Sequence, residues 1–333
     1  MLEFLGTGTG LERRALATNQ GVALASLGEA LPSTVVRSDE VGRGLGVDAR
    51  WIERRTGVRE RRYLADGETL TQLAVDAAER ALDDAGTEAL DLDLVLVATC
   101  TADRLLPHSS TLVAERIGAV RAGTIDIGAA CMGFLSALAL GAGYIESGRA
   151  DTALIVGADQ FSRFIDRGDR QTASILGDGA GAAVLTAAPR GRVGPVVLRA
   201  DGGTAALVSM THEVRQLHMD GPATYAHAVQ RLSEVTEEAV AAAGVELADI
   251  DLFVYHQANG RILSAVGERL DLPPERVVDC IAELGNTSSA SIPLALGWAR
   301  AHGKLKVGSR VLLAAIGAGL IWGATVVEWG QDG

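Results

Sequence analysis

The chain has 333 residues, about two domain lengths at roughly 150 residues each. Its 48% apolar and 22% charged content is that of a folded globular protein and excludes a disordered or fibrous chain. Thirty basic against 42 acidic side chains leave a net charge of −12, a field that repels phosphate backbones and anionic bilayers, so neither nucleic acid nor a membrane surface is an expected partner.

Residues 1–20 read as an N-terminal extension without the basic start and apolar stretch of a secretory signal. Gly6-Thr7-Gly8-Thr9-Gly10 is rejected as a nucleotide loop because no complete βαβ unit with an acidic partner frames it. The three cysteines, Cys100, Cys131 and Cys280, cannot form a disulfide framework, show no metal-ligand spacing, and suit a reducing cytoplasm. Two uncharged runs, Ile127–Ile145 and Val311–Val327, approach membrane-spanning length. Their many glycines and alanines make them buried core segments instead, the first of them a helix.

Internal repetition organises the rest. Ala74–Ala85 has a helical pattern, Gly86 stops it, and Asp93–Val97 follows as a strand; Val235–Ala243, Gly244 and Asp251–Tyr255 repeat the series 158 residues later. Gly148 and Leu154–Ala158 match Gly308 and Ala314–Ala318 at an offset of 160. Each half alternates near-continuous apolar strands with helices, which predicts two α/β units stacked as an α/β/α/β/α body of five layers. The halves are placed at 21–195 and 196–333, with the seam in Pro189–Gly203.

Cys131 lies at a strand-to-helix junction, Asp126-Ile127-Gly128-Ala129-Ala130-Cys131-Met132-Gly133. A cysteine at the first turn of a long helix meets unpaired N–H groups and the positive end of the macrodipole, which favours thiolate. The alternative is a small buried hydrophobe, the reading given to Cys100 and Cys280. His256 ends an apolar strand, where α/β sheets place ligands. Gly285-Asn286-Thr287-Ser288-Ser289 turns into a second buried helix, Ser288–Ala301, and the 158-residue offset carries Cys131 onto Ser289. Thiol, imidazole and carboxamide are thereby brought to one place. Gly317–Gly323 joins two strands, either as a hairpin with a bulge or as a loop whose N–H groups face a substrate oxygen.

At these residues the chain resembles the β-ketoacyl-(acyl carrier protein) synthase III family of the thiolase fold, from about Gly21 to Trp329. The motifs are Trp51–Arg59, the Cys131 junction, Leu176–Ala182, His256–Asn259, Gly285–Ser288 and the 317–323 loop. The resemblance implies that Cys131 accepts an acyl group from coenzyme A and that His256 and Asn286 promote decarboxylation of a malonyl thioester. The backbone N–H groups of Cys131 and Ala318 would then face the oxyanion. It further implies that Trp51 and Arg170 hold the adenine of coenzyme A, that Arg55 holds its phosphates, and that Arg261 faces an acyl carrier protein. Leu106 would cross a homodimer interface toward the partner's acyl pocket, and Met132, larger than the usual residue there, would narrow the cavity. The implied substrates are coenzyme A thioesters, with no bound cofactor and no metal. Ala226 and Glu268 stand where the family often carries lysines, and Ala318 where it carries glycine. Decarboxylative condensation, acyl transfer without condensation, and a non-catalytic partner are the competing functions. Asn286, which transfer alone does not need, favours the first.

Overall fold

The computed structural model describes residues 20–188 and 192–330; the extension read at 1–20 and its glycine loop fall, but for Gln20, outside the described residues. The first half runs β1 (Gly21–Leu24), β2 (Gly28–Ala30), β3 (Thr34–Arg37), α1 (Ser38–Leu45), α2 (Ala49–Thr56) and β4 (Glu60–Tyr63). It continues through α3 (Leu70–Ala85), β5 (Leu94–Ala98), α4 (Ser109–Ile117), β6 (Gly123–Ile127), α5 (Gly133–Glu146), β7 (Thr152–Gln160) and β8 (Asp178–Ala188). Then come β9 (Val197–Ala200), β10 (Val208–Ser209), β11 (His218–Met219), α6 (Gly221–Ala242), β12 (Leu252–Tyr255) and α7 (Gly260–Arg269). The chain ends through α8 (Ile281–Leu284), α9 (Ser291–Ala301), β13 (Arg310–Gly317) and β14 (Ile321–Glu328).

The larger sheet has the order β1-β8-β7-β5-β6, with β2 also on β8, and the next β12-β13-β14-β9; β3 with β4 and β10 with β11 form two small ribbons beside them. In both, a parallel pair meets an antiparallel hairpin partner: β5 with β7 and then β8, β12 with β13 and then β14. The ladders share one register. Leu94 faces Ala153, and 158 residues on Leu252 faces Val311. The offset of 160 read from the glycine patterns is therefore corrected to 158 within the sheets; the slip belongs to the turns before the strands.

Alternation along each strand separates the layers. Leu94, Leu96, Ala153, Ile155, Leu252, Val254, Val311 and Leu313 point inward, onto Leu135, Leu138 and Ala142 of α5 and Ile292, Ala295 and Leu296 of α9. Val95, Val97, Leu154 and Val156 point outward onto α3 and α4, and Phe253, Tyr255, Leu312 and Ala314 onto α6 and α7. The result is the expected five layers. No helix of the described residues is long and apolar enough to cross a membrane, and the run at 311–327 is the β13–β14 hairpin.

The first uncharged run is not one helix. Residue 127 ends β6, Ala130 takes a left-handed φ of 45°, and a single 3₁₀ turn, Ala130–Met132, precedes α5. The matching place in the second half behaves alike: Ser288 has φ 53°, and a 3₁₀ turn at Ser288–Ala290 precedes α9. Both turns sit where a side chain is sterically costly, a strain typical of functional positions.

Candidate functional site

The two turns meet at the middle of the molecule. A Cβ on Gly133 would lie 3.1 Å from Ser289 Cβ, so one helix start packs directly on the other. Asn286 is delivered by Gly285, which ends α8 with φ 67°, and is fixed by the first half: its N–H donates to the Ile175 carbonyl (2.8 Å) and its carbonyl accepts from Gly177 N–H (2.9 Å). His256 follows β12, its N–H donating to the Ala314 carbonyl at 2.8 Å. Gln257 braces it, donating from Nε2 to the carbonyls of Tyr255 (2.9 Å) and Val278 (3.0 Å). Cys131, His256 and Asn286 all line one cavity of about 1530 Å³.

Ser288 Oγ donates to Cys131 Sγ at 3.4 Å. Burial pushes the Cys131 thiol up to about 12; the serine hydroxyl offsets this only in part, and the nearby Asp159 carboxylate adds to it. The helix start was expected to leave a thiolate, but Cys131 sits one turn ahead of α5, and the burial of its sulfur outweighs the helix end. Burial also pushes the His256 imidazole down to about 3, so the ring is neutral, and its Nδ1 is buried with no partner among the described residues. Asn286 Oδ1 accepts from Ser288 N–H (2.9 Å), which fixes the amide so that Nδ2 donates one hydrogen to the Ala258 carbonyl (3.4 Å) and keeps a second for a ligand. The resting site thus holds a protonated sulfur and two neutral donors.

At the cavity's outer part Asp48 caps α2 by accepting from Trp51 N–H (2.6 Å), which sets the indole in place. The Arg55 and Arg170 guanidinium carbons lie 5.4 and 5.8 Å from the Trp51 ring centroid, and Arg170 Nε donates to the Leu45 carbonyl at 3.0 Å. Arg261, the first-turn residue of α7, stands 5.5 Å over the Tyr225 ring. The non-glycine residues with positive φ among those described are Ala130, Arg215, Asp271 and Ser288, so Ala318 carries no left-handed strain. Gly317 beside it approaches the nucleophile closely: a Cβ there would lie 2.9 Å from Cys131 N.

Two expectations, for Met132 and Cys100, need correction. Met132 does not line the cavity; it is buried in the central core, its Cε 2.9 Å from where a Cβ on Gly323 would stand. Leu106, expected to reach a partner's pocket, is 74% exposed and lies outside this chain's own cavity, which its neighbour Leu105 lines. Cys100, read as packing, lines the cavity alongside Cys131, its thiol pushed far up by burial. Ser288 was missed altogether, although the 158-residue offset places it opposite Ala130, the neighbour of the nucleophile.

Comparison with known proteins matches residues 125–202 to the family described as 3-oxoacyl-[acyl-carrier-protein (ACP)] synthase III and residues 240–329 to its C-terminal family. A Streptomyces coelicolor protein named beta-ketoacyl-[acyl-carrier-protein] synthase III 2 is 45% identical over 93% of this chain and 94% of its own. A Rhodobacter capsulatus protein named beta-ketoacyl-[acyl-carrier-protein] synthase III is 43% identical over 91% and 97%. Among solved structures, the priming β-ketosynthase of a polyketide biosynthetic pathway superposes with a TM-score of 0.92 at 33% identity, covering 96% of this chain and all of its own. The 3-oxoacyl-(acyl carrier protein) synthase III of Pseudomonas aeruginosa gives 0.89 at 39% identity, covering 94% and 99%.

Proposed function

This chain belongs to the 3-oxoacyl-[acyl-carrier-protein] synthase III family, the condensing enzymes of fatty-acid or polyketide synthesis, and from that premise we propose that it primes chain growth by decarboxylative condensation on Cys131. The observation that carries this reading is the meeting of Cys131, His256 and Asn286 in one cavity, with the Ser288 hydroxyl donating to the Cys131 sulfur from behind its wall. The Cys131 sulfur attacks an acyl-CoA carbonyl; the acyl–sulfur bond to coenzyme A breaks, and the thiol proton ends on the departing coenzyme A sulfur. With Cys131 protonated at rest, deprotonation accompanies substrate arrival rather than preceding it.

A malonyl thioester then loses carbon dioxide, leaving an enolate. His256 Nε2–H and Asn286 Nδ2–H hold its oxygen. A neutral imidazole suits this, because an imidazolium would hand its proton to the carbanion instead. Preorganised donors of this kind are worth about 10²–10³ in rate each. The carbanion attacks acyl-Cys131, the tetrahedral oxyanion faces the backbone N–H groups of Cys131 and Ala318, and collapse expels the Cys131 thiolate, which takes up a proton from solvent.

Trp51, Arg55 and Arg170 would hold the nucleotide end of coenzyme A, and Arg261 an acyl carrier protein, in a homodimer to whose partner Leu106 reaches, working in the cytoplasm. Acyl transfer to another acceptor is the second reading, favoured by Ala226 and Glu268 where a carrier-facing surface would hold lysines. The deciding experiment incubates the protein with acyl-CoA and a malonyl-carrier thioester. Acyl-Cys131 by peptide mass together with carbon dioxide release supports condensation. Acyl-Cys131 without carbon dioxide selects transfer, and no adduct at all defeats both.

A further inference from the structure

A buried carboxylate stands behind the nucleophile, and the reaction proposed above does not use it. Asp159, next to last in β7, is 0% exposed and is not among the cavity-lining residues. Its Oδ1 accepts from Thr99 Oγ1 (3.2 Å), Cys100 N–H (2.9 Å) and Thr101 Oγ1 (2.8 Å). Its Oδ2 accepts from Ser289 N–H (3.1 Å) and Ser289 Oγ (2.7 Å). A carboxylate out of water needs either a cation or a dense set of donors, and here neutral donors surround it.

The donors divide between the halves. Three belong to the loop after β5, and two to the turn that opens α9. Packing alone brings that turn close: a Cβ on Gly157, two residues before Asp159, would lie 2.3 Å from the Ser289 carbonyl oxygen. Pseudo-symmetry gives the arrangement meaning. Ser289 is the counterpart of Cys131, and the counterpart of Asp159, 158 residues on, is Gly317. Asp159 therefore fills, against the Ser289 N–H, the place that Gly317 leaves without a side chain beside the Cys131 N–H.

We propose that Asp159 is a positioning residue for the condensation: it clamps the 288–290 turn onto the 99–101 loop and so fixes the Ser288 hydroxyl and the Asn286 carboxamide around Cys131 without touching substrate. This rests on the reaction assigned above. The same carboxylate, through its charge, helps hold the proton on the Cys131 and Cys100 thiols. The titratable groups around the sulfur are Asp159 from β7, Cys100 after β5 and His256 after β12.

Two variants of the full chain test it, Asp159→Asn and Ser289→Ala. Active sites are counted as acyl-Cys131 by peptide mass, condensation is measured per counted site, and the pH midpoint of Cys131 alkylation by iodoacetamide is read without substrate. Asp159→Asn should lower kcat per site by about 10–100-fold, leave the KM for acyl-CoA within about twofold, and move the alkylation midpoint to lower pH. Ser289→Ala keeps the charge and should lose about 3–10-fold in kcat with no downward shift in the midpoint. A role in stability alone would move neither kcat per site nor the contrast between the two midpoints. Unchanged kcat per site in Asp159→Asn, a loss confined to KM, or an unmoved midpoint overturns the proposal. If Asp159→Asn does not fold, unchanged kcat in Ser289→Ala overturns it. Should the unsubstituted protein release no carbon dioxide, the condensation reading fails, while the midpoints and the acyl-loading rate still judge the clamp.

Discussion

The two halves share a sheet order, a register and a strained turn before a buried helix, yet only one catalytic centre results. The 158-residue correspondence shows how the work divides. Cys131 matches Ser289, so the nucleophile exists once. His256 matches Ala98 and Asn286 matches Gly128, so the donors exist once too, in the opposite half. The first half supplies the electrophile's attachment point, and the second supplies the enolate's partners. Where a mirror-image site would form, Asp159 already sits on the Ser289 N–H. Duplication built the scaffold, and divergence at a few positions around its axis built a single centre from both copies.

The sharpest way to break this division is to give the second half what the first half carries. His256→Ala sets at 256 the residue found at 98, and Asn286→Ala removes the carboxamide that Gly128 also lacks. Each should cost about 10²–10³ in condensation, since each deletes one donor to the developing oxyanion. Neither should stop acyl transfer from coenzyme A to Cys131, because that step forms its bond on the sulfur, whose hydrogen-bond partner is Ser288 rather than either of these side chains. Carbon dioxide release against the acyl-Cys131 mass separates the two effects. Loss of acyl loading in both variants would mean that the halves do not divide the steps in this way.

The five layers and the convergence of Cys131, His256 and Asn286 were legible because duplication preserves what a sequence displays openly: helix-stopping glycines, apolar strands and their spacing. Side-chain direction at the turns was not legible. Met132 looks like a cavity residue by adjacency to Cys131, but the 3₁₀ turn sends it into the core, whereas Cys100 at the end of β5 is turned into the cavity. The charge state of Cys131 was misjudged for a related reason. A helix start is visible in sequence; the desolvation that outweighs it is a property of the packed whole. Ser288 and Asp159 contribute through bonds spanning more than a hundred residues, which no local pattern announces.

A second test sharpens the comparison at the crossing of the halves. Gly157 lets β7 pass under the Ser289 turn, and Gly317 lets β13 pass beside the Cys131 turn. A methyl group at 157 would meet the Ser289 carbonyl oxygen at 2.3 Å, and one at 317 would meet Cys131 N at 2.9 Å. Both partners are backbone and cannot swing away. Gly157→Ala should lie near the upper end of the roughly 1–3 kcal/mol that overpacking costs, and Gly317→Ala near the lower end. Urea unfolding measures both, and the reverse order would show that the second half's turn is the more yielding of the two.

The expected effect that vanishes at neutral pH is a pH dependence carried by His256, which its counterpart Ala98 cannot have. In the unfolded chain the imidazole takes its ordinary value of 6.5; burial in the fold lowers it to about 3. Between those values the unfolded chain binds a proton that the folded chain refuses, so stability rises with pH across that window. The cost is absent above about pH 6.5 and grows as the pH falls, by about 1.4 kcal/mol per pH unit, until the folded value is reached. His256→Ala removes this contribution while keeping every other titrating group, so the acid losses they share cancel in the difference. Plotted as unsubstituted protein minus variant, the unfolding free energy should be level from pH 8 to 7 and then slope downward from pH 6 to 4.5. Parallel curves would mean that His256 accepts its proton as readily inside the fold as outside, and an imidazole of that kind would be charged too often to serve as the neutral donor assigned to it.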